Sequence, residues 1–503
     1  MASTLLGMYY GILGILAIFG IHRMVLVVLY WRSRKRVAVE PAPPEEWPLV
    51  TVQLPLYNEM YVARRLIDAV CEIDYPRERL EIQVLDDSTD ETRQIVADAV
   101  ARQADLGVPI RHLHREDRTG FKAGALEAGL KQTKASLVAV FDADFLPSKD
   151  FLRRTVPYFS DPGIGMVQAR WDHLNREFSL LTRIQAIFLD GHFVIEHTAR
   201  NRSGCFFNFN GTAGIWRRQA IEQAGGWQHD TLTEDLDLSY RSQMAGWRFL
   251  YLPDLLVPAE LPVEINGFKS QQYRWAKGSI QTGRKLLRRI FAADLPWRVK
   301  AEAAVHLTNN VSYLLMVVLA LLVFPAMVLR RGSSIELLLL IDLPLFLAAT
   351  VSVLVFYSAS QIAGGRNWRR SLRWLPALMG LGIGLSLSNS AAVLSGFRQR
   401  GGEFVRTPKF SIVERADGWK PKRYRAGRSM TLLLEVVFAL YFIACFAFAA
   451  WDGMWASLPF LFLFLQGYSY IVLLSLLEGF SRGGGSPPPS TQEAQMLGLT
   501  VRE

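Results

Sequence analysis

Residues 136–144 read SLVAVFDAD, a short apolar run that stops at two aspartates two positions apart, Asp142 and Asp144. This reads as a buried β-strand, about 136–141, with carboxylates just beyond its C-terminal end. The same pattern occurs twice upstream. A strand from Leu49 to Leu54 leads into Pro55-Leu56-Tyr57-Asn58-Glu59, and a strand at 81–85 leads into Asp86-Asp87-Ser88. Helical stretches at 60–72, 90–104 and 121–132 and a further strand at 109–113 complete the alternation. Strands alternating with helices predict a mostly parallel, Rossmann-like α/β sheet covered by helices. Ligands of such sheets bind beyond the carboxyl ends of the strands, where these acids collect.

The rest of the 503 residues does not fit a soluble enzyme: 50% of the chain is hydrophobic and only 20% charged. The apolar runs lie in 7–31 and 304–477, while 32–300 reads as soluble protein. This excludes a disordered chain, a collagen and a small secreted scaffold. Cys71, Cys205 and Cys445 are too scattered for a disulfide framework or a zinc knuckle, which fits a reducing compartment. The excess of 56 basic over 46 acidic groups gathers beside the apolar runs, so it points to membrane topology and not to nucleic acid.

Gly7 to Trp31 is long enough to cross a bilayer and lacks a cleavage site, so it reads as an anchor spanning residues 1–31. Within it, His22 and Arg23 are expected to snorkel or to pair with another helix. Further spans are expected at 304–329, 335–359, 430–450 and 456–477. The stretch 374–396 is apolar but rich in Gly and Ser. If it crossed, the segment 397–429, with ten Lys/Arg against three Asp/Glu, would lie outside. The positive-inside tendency opposes that, so 374–396 is expected to be interfacial or re-entrant. Arg32, Arg34, Lys35, Arg36, Arg366, Arg369, Arg370 and Arg373 then face the cytoplasm with 397–429, and only Arg330 and Arg331 disagree. The expected organisation is an external amino terminus, a cytoplasmic domain at 45–300, a membrane domain at 304–477, and a Gly/Pro-rich disordered tail at 478–503.

Four carboxylates on one sheet edge repel one another unless something positive compensates them, and a hard divalent ion bridging to substrate phosphates would do so. Singly, each motif has a plain structural use. Asp-Asp-Ser is a common turn or helix cap, and Arg118 to Gly124 is a common basic helix start. Together they suggest diphosphate binding by Lys122 and nearby amides. Thr233-Glu234-Asp235 opens a helix, and an acid held there in its ionised form suits a general base. Gln271, Arg274 and Trp275 share one helix face, which would offer an indole to a sugar and a cation to phosphate. A sugar nucleotide combines both chemistries.

In order and spacing, Asp-Asp-Ser, Asp-Ala-Asp, Thr-Glu-Asp and Gln-Gln-Tyr-Arg-Trp resemble the D, DxD, TED and QxxRW motifs of processive family 2 glycosyltransferases. That group contains the cellulose, chitin and hyaluronan synthases. Phe207 to Gly214 and Gly225-Gly226-Trp227 are similar to the plant cellulose-synthase-like A and C proteins, which make mannan, glucomannan and the xyloglucan backbone. Residues 402–409 are similar to the gating loop FxVTxK, with Arg406 in place of its Val.

The resemblance, which runs from Gly7 to Leu477, implies a GT-A fold joined to a helical transmembrane bundle. It also implies inverting transfer of hexose from GDP-mannose or UDP-glucose, with Mg2+ or Mn2+, to a β-linked polysaccharide that is extruded through a plasma, inner or Golgi membrane. Carried onto this chain, it assigns Asp86 and Asp87 to the nucleotide, with Pro55, Tyr57 and Glu59 near the base and Lys122 near the phosphates. Asp142 and Asp144 would hold the metal and diphosphate, with Asp235 the catalytic base and Arg274 on the diphosphate. Glu234, Gln271 and Trp275 would lie at the acceptor and channel mouth, and Phe404, Thr407 and Lys409 in the gating loop. Two other readings are single transfer to a lipid, as in diacylglycerol or ceramide glucosyltransferases, and a transporter whose cytoplasmic domain only senses sugar nucleotides. The full set of acidic motifs speaks against the transporter.

Overall fold

The computed structural model describes residues 2–331, 340, 343–420, 422–427 and 431–480. Its centre is one seven-stranded sheet, ordered β3-β2-β1-β4-β6-β5-β7. The strands are β1 Val50–Leu56, β2 Leu80–Asp86, β3 Ile110–His114, β4 Leu137–Val140, β5 Ile164–His173, β6 Gly214–Arg217 and β7 Arg248–Ala259. β1 pairs in parallel with β2 and β4, and β2 with β3; β6 runs antiparallel to both neighbours, while β5 and β7 are parallel. The four strands and three helices expected before residue 142 are present, with ends shifted by a few residues. β5, β6 and β7 were not among the expected strands. β6 is only four residues long, and β5 carries the polar stretch Arg170 to His173, so neither shows a clean apolar period.

Alternation along β1 explains both faces of the sheet. Val50, Val52 and Leu54 are fully buried against Leu66 and Val70 of helix Ala63–Cys71 and Val96 of helix Thr92–Asp105. Thr51 and Gln53 point the other way, also with no exposure, and each finds a polar partner: Thr51 Oγ1 lies 2.6 Å from Thr133 Oγ1, and Gln53 Nε2 donates to Gln83 at 3.0 Å. Beyond them a second apolar core, including Leu126, Val140, Met166 and Trp216, fills the space under helix Phe121–Lys131. The sheet is therefore buried on both sides, and its open surface is the strand ends.

Among the described residues, four helices are long and apolar enough to cross a membrane: Ala2–Ser33, Val311–Leu329, Leu432–Trp451 and Trp455–Gly479. One expected boundary needs correction. The span expected at 304–329 starts only at Val311, because Trp297–Thr308 is a separate helix that packs against helix Ile265–Ala292 and the sheet-bearing half of the chain. Its Glu302 accepts from Arg200 Nε at 2.8 Å, and its His306 Nδ1 accepts from Tyr240 Oη at 2.7 Å, contacts that hydrocarbon would not provide. The stretch 374–396 is two helices, Leu375–Gly384 and Ser386–Arg398, bent by 45° at the junction. Of the span expected at 335–359, residues 335–339 and 341–342 lie outside the described residues, as does the tail from 481.

The two discordant arginines have partners. Arg331 forms an ion pair with Asp452, and the Arg330 guanidinium lies 5.5 Å from the Tyr10 ring centroid. The first helix, the end of Val311–Leu329 and the turn after Leu432–Trp451 thus meet at one end of the bundle. At the other end, Lys269 donates to Glu435 at 2.7 Å, and Glu478 accepts from the Asn266 side chain at 2.8 Å. These contacts tie the bundle to helix Ile265–Ala292, outside the bundle.

Candidate active site

The loops after β1, β2 and β4 converge on one edge and surround a cavity of about 190 Å³. Lining it are Pro55, Tyr57, Glu59, Asp87, Lys122, Asp142 and Asp144 from the sheet half, Glu234, Asp235, Gln271, Arg274 and Trp275 from the second half, and Phe404, Thr407 and Lys409 from the basic loop. Asp86 is the one expected site residue outside this lining. It is fully buried beneath the edge, where it accepts from the Ser88 amide at 2.9 Å and sits 2.9 Å from His112 Nε2.

Local chemistry explains how the edge is held. The Asn58 amide donates to Ser88 Oγ at 2.9 Å and Asn58 Oδ1 accepts from the Thr89 amide at 2.8 Å, so the first two acidic loops are laced together. Asp87 is gripped by both arms of Arg115, at 2.8 and 2.6 Å. The Arg118 guanidinium lies 3.4 Å from the Tyr57 ring centroid. Lys122 pairs with Asp142 and donates to the Gly211 carbonyl at 3.0 Å. Lys409 donates to Asp144 Oδ2 at 2.7 Å.

Each carboxylate of Asp-Ala-Asp is therefore matched by a lysine. A pair of carboxylates that recruits two cations has the hard oxygen donors a divalent ion requires, so these residues fit such an ion. Asp86, His112 and His114 also bring ligand atoms within 4.8 Å of one another, but that group sits two strands away and its Asp86–His112 contact already has hydrogen-bond length.

Asp235 occupies the first turn of helix Glu234–Met244. Thr233 stands at the N-cap without capping through its side chain; its Oγ1 lies 3.4 Å from Thr282 Oγ1 instead. The helix start can approach because Gly278 faces it, where a Cβ would fall 2.5 Å from Thr233 Cγ2. Gly211, at φ +81°, leaves similar room: a Cβ there would lie 3.1 Å from Asp235 Oδ2. Burial, and then the neighbouring Glu234 charge, raise the Asp235 carboxyl to about 7, while the Lys122 ammonium opposes them. Burial likewise raises Glu234 and Asp142, and takes Glu59 to about 8. Arg274 lies 4.3 Å from the Phe404 ring centroid and donates to Thr407 Oγ1 at 3.1 Å.

A second cavity, about 1020 Å³, adjoins the first, and Asp235, Trp275, Asn210 and Trp171 line both. It runs past Arg23 and Tyr313 of the membrane helices to Arg330 and Arg331. One wall is a hydrogen-bonded chain of polar groups that sequence reading missed. His197 Nε2 donates to Asn210 Oδ1 at 2.6 Å, Asn210 Nδ2 donates to His192 Nε2 at 3.0 Å, and His192 Nδ1 donates to Glu196 at 3.0 Å. Arg200 then bridges Glu196 and Glu302, and Glu302 meets His22 at 2.8 Å. The expectation that His22 pairs with another helix is thus met. A histidine or glutamate on a helix carries no motif, and only His22, polar within an apolar run, was visible as a signal.

Residues 48–278 match the glycosyltransferase like family 2 model. A probable glucomannan 4-beta-mannosyltransferase 9 of Oryza sativa subsp. japonica is 34% identical over 447 residues, covering 85% of this chain and 81% of the relative. The chain belongs to this family 2 glycosyltransferase group. Glucomannan 4-beta-mannosyltransferase 2 of Arabidopsis thaliana is 46% identical over 279 residues, covering 53% of this chain and 52% of the relative. Against this and similarly identical relatives, the chain of this glycosyltransferase-family member spans about half their length. Among solved structures, the mannosyltransferase PcManGT from Pyrobaculum calidifontis, in complex with GDP-Man and Mn2+, shares 21% identity at a TM-score of 0.52, over 76% of this chain and 99% of that one. It shares the GT-A fold. With four helices among the described residues able to cross a bilayer, this family member is a membrane protein.

Proposed function

We propose that the protein is an inverting hexosyltransferase that takes mannose from GDP-mannose, with UDP-glucose the other donor to test, and adds it to a β-linked glycan that leaves through the second cavity. The observation that carries this reading is that Asp235 and Trp275 border both cavities. A group that activates an acceptor must touch the donor on one side and the acceptor on the other. The resemblance of four motifs and the mannosyltransferase names of the relatives support the donor class.

An acceptor hydroxyl is a poor nucleophile near neutral pH, so one carboxylate must take its proton as the oxygen attacks the anomeric carbon. Asp235 has the position, and a carboxyl raised to about 7 holds that proton more firmly than an ordinary aspartate. The new carbon–oxygen bond forms as the bond to the leaving diphosphate breaks, on the opposite face, so an α-linked donor yields a β-linked product. Charge that develops on the diphosphate faces Lys122 and Arg274, both at the cavity wall. A divalent ion held by Asp142 and Asp144 would supply further charge neutralisation there when bound. Trp275 offers a flat apolar face at the mouth, where Gln271 adds an amide.

The catalytic domain is taken to run from residue 45 through helix Trp297–Thr308, and the membrane domain from Val311 to 477. The basic groups at 32–36 and 366–373 support a cytoplasmic catalytic domain, and the pairing of Arg331 with Asp452 removes one of two objections. The test is a panel of GDP-mannose and UDP-glucose with Mg2+ or Mn2+, supplied to protein in detergent, followed by sizing and linkage analysis. Long β-linked polymer is expected. One sugar on a lipid would replace polymer synthesis with lipid glycosylation, and no transfer from any donor would end the reading.

A further inference from the structure

Glu260 lies just past the end of β7 and belongs to none of the motifs above. Its side chain is 1% exposed, too deep for a carboxylate without partners. Arg65 of helix Ala63–Cys71 lies 3.9 Å from Oε2, and the hydrogen-bonding partners come from the basic loop. The Phe410 amide donates to Oε1 at 2.8 Å and the Ile412 amide to Oε2 at 3.2 Å. Two amides can converge on one carboxylate only where the chain between them curls, and Ser411, at φ +56°, supplies the curl. A non-glycine residue in the left-handed region is strained and persists where its surroundings over-determine it. Here they do: Phe410 and Ile412 are buried with Val263, against Trp419 and Tyr424.

The consequence falls on the preceding residue. With 410 and 412 pinned, Lys409 Nζ reaches Asp144 Oδ2 at 2.7 Å and also meets the Glu260 carbonyl. The Glu260 amide donates to the same Asp144 oxygen at 3.1 Å. One residue therefore grips the loop with its side chain and the second aspartate of Asp-Ala-Asp with its backbone.

We propose that Glu260 is a positioning residue for the loop: its carboxylate docks residues 407–412 over the cavity and sets the Lys409 ammonium on the Asp144 side of the donor site. The proposal rests on the reading of that edge as the site of the donor diphosphate. A cation placed there neutralises Asp144 while the site holds no donor and stands beside the negative charge that a sugar nucleotide brings.

The experiment uses the full chain in lipid nanodiscs and compares wild type, Glu260→Ala, Glu260→Gln and, as control, Glu414→Gln, whose exposed carboxylate lies on the same loop. Limited trypsin digestion reads cleavage after Arg406 and Lys409. Loss of two amide bonds to a charged acceptor should speed cleavage at these two sites by about tenfold or more in both Glu260 variants, with the control unchanged. With GDP-mannose, the same variants should show a rise in donor KM of about tenfold with a smaller change in kcat. If Glu260→Ala does not survive purification, the near-isosteric Glu260→Gln decides. Cleavage within about twofold of wild type, or acceleration spread evenly over the whole chain, overturns the proposal. Because the digestion needs no donor, absence of transfer from every sugar nucleotide would sink the functional reading while the docking result stands on its own.

Discussion

His22 of the first membrane helix and Glu302 of the helix before the second are joined at 2.8 Å, and the other oxygen of Glu302 accepts from Arg200 of the catalytic domain at 2.8 Å. One carboxylate thus fastens a membrane anchor to a soluble domain. Burial alone would raise this carboxyl, but Arg200 and His22 outweigh it and hold it at about 2.

Removing Glu302 leaves Arg200, 3% exposed, with Glu196 as its one remaining acidic partner among the described residues. Breaking a buried pair in this way typically costs about 3–5 kcal/mol, so Glu302→Ala should lower the thermal unfolding midpoint in detergent by several degrees. Because the folded carboxyl titrates below its unfolded value, its stabilisation is present above pH 4.5 and is lost as pH falls toward 2. The variant should therefore converge on wild type in acid.

Asp235→Asn removes the proposed base without changing side-chain volume. Transfer should fall by about 10²–10⁴-fold, the usual contribution of a positioned base, while donor affinity by calorimetry stays near wild type. Unchanged turnover would assign the base elsewhere.

A base that titrates at about 7 gives kcat/KM an acid limb: activity should rise with pH through that value and level off above it. After burial, the adjacent Glu234 charge is the main cause of the rise, so Glu234→Gln should move the limb to lower pH. A limb that stays in place would detach Asp235 from the rate.

Gly278→Ala would push a methyl group to within 2.9 Å of the Thr233 amide nitrogen and closer still to its side chain. Overpacking of this kind costs about 1–3 kcal/mol, and here the backbone that must shift carries Glu234 and Asp235. Transfer should drop far more than stability, as read by activity and unfolding midpoint in one preparation. Equal losses would indicate a purely structural glycine.

Burial on both faces made the first half of the catalytic sheet legible, because short apolar strands ending in acids have no other common meaning in an alternating pattern. The second half was opaque where strands were short or polar, as in β6 and the far end of β5. The membrane helices were found by length and hydropathy, yet 304–310 were misassigned to a span, since a helix with Glu302 and His306 buried against protein looks much like the start of one in lipid.

Sequence alone determined the chemistry on offer: acids at strand ends, an acid in a helix's first turn, a guanidinium and an indole side by side one turn after an amide, because side-chain type and local spacing are properties of the chain itself. The tertiary structure alone decided which of these meet. Asp144 touches Lys409 across 265 positions, and His22 touches Glu302 across 280, and no local period encodes such separations. Glu260 shows the difference most plainly, since an isolated glutamate says nothing until the fold buries it and two loop amides come to satisfy it.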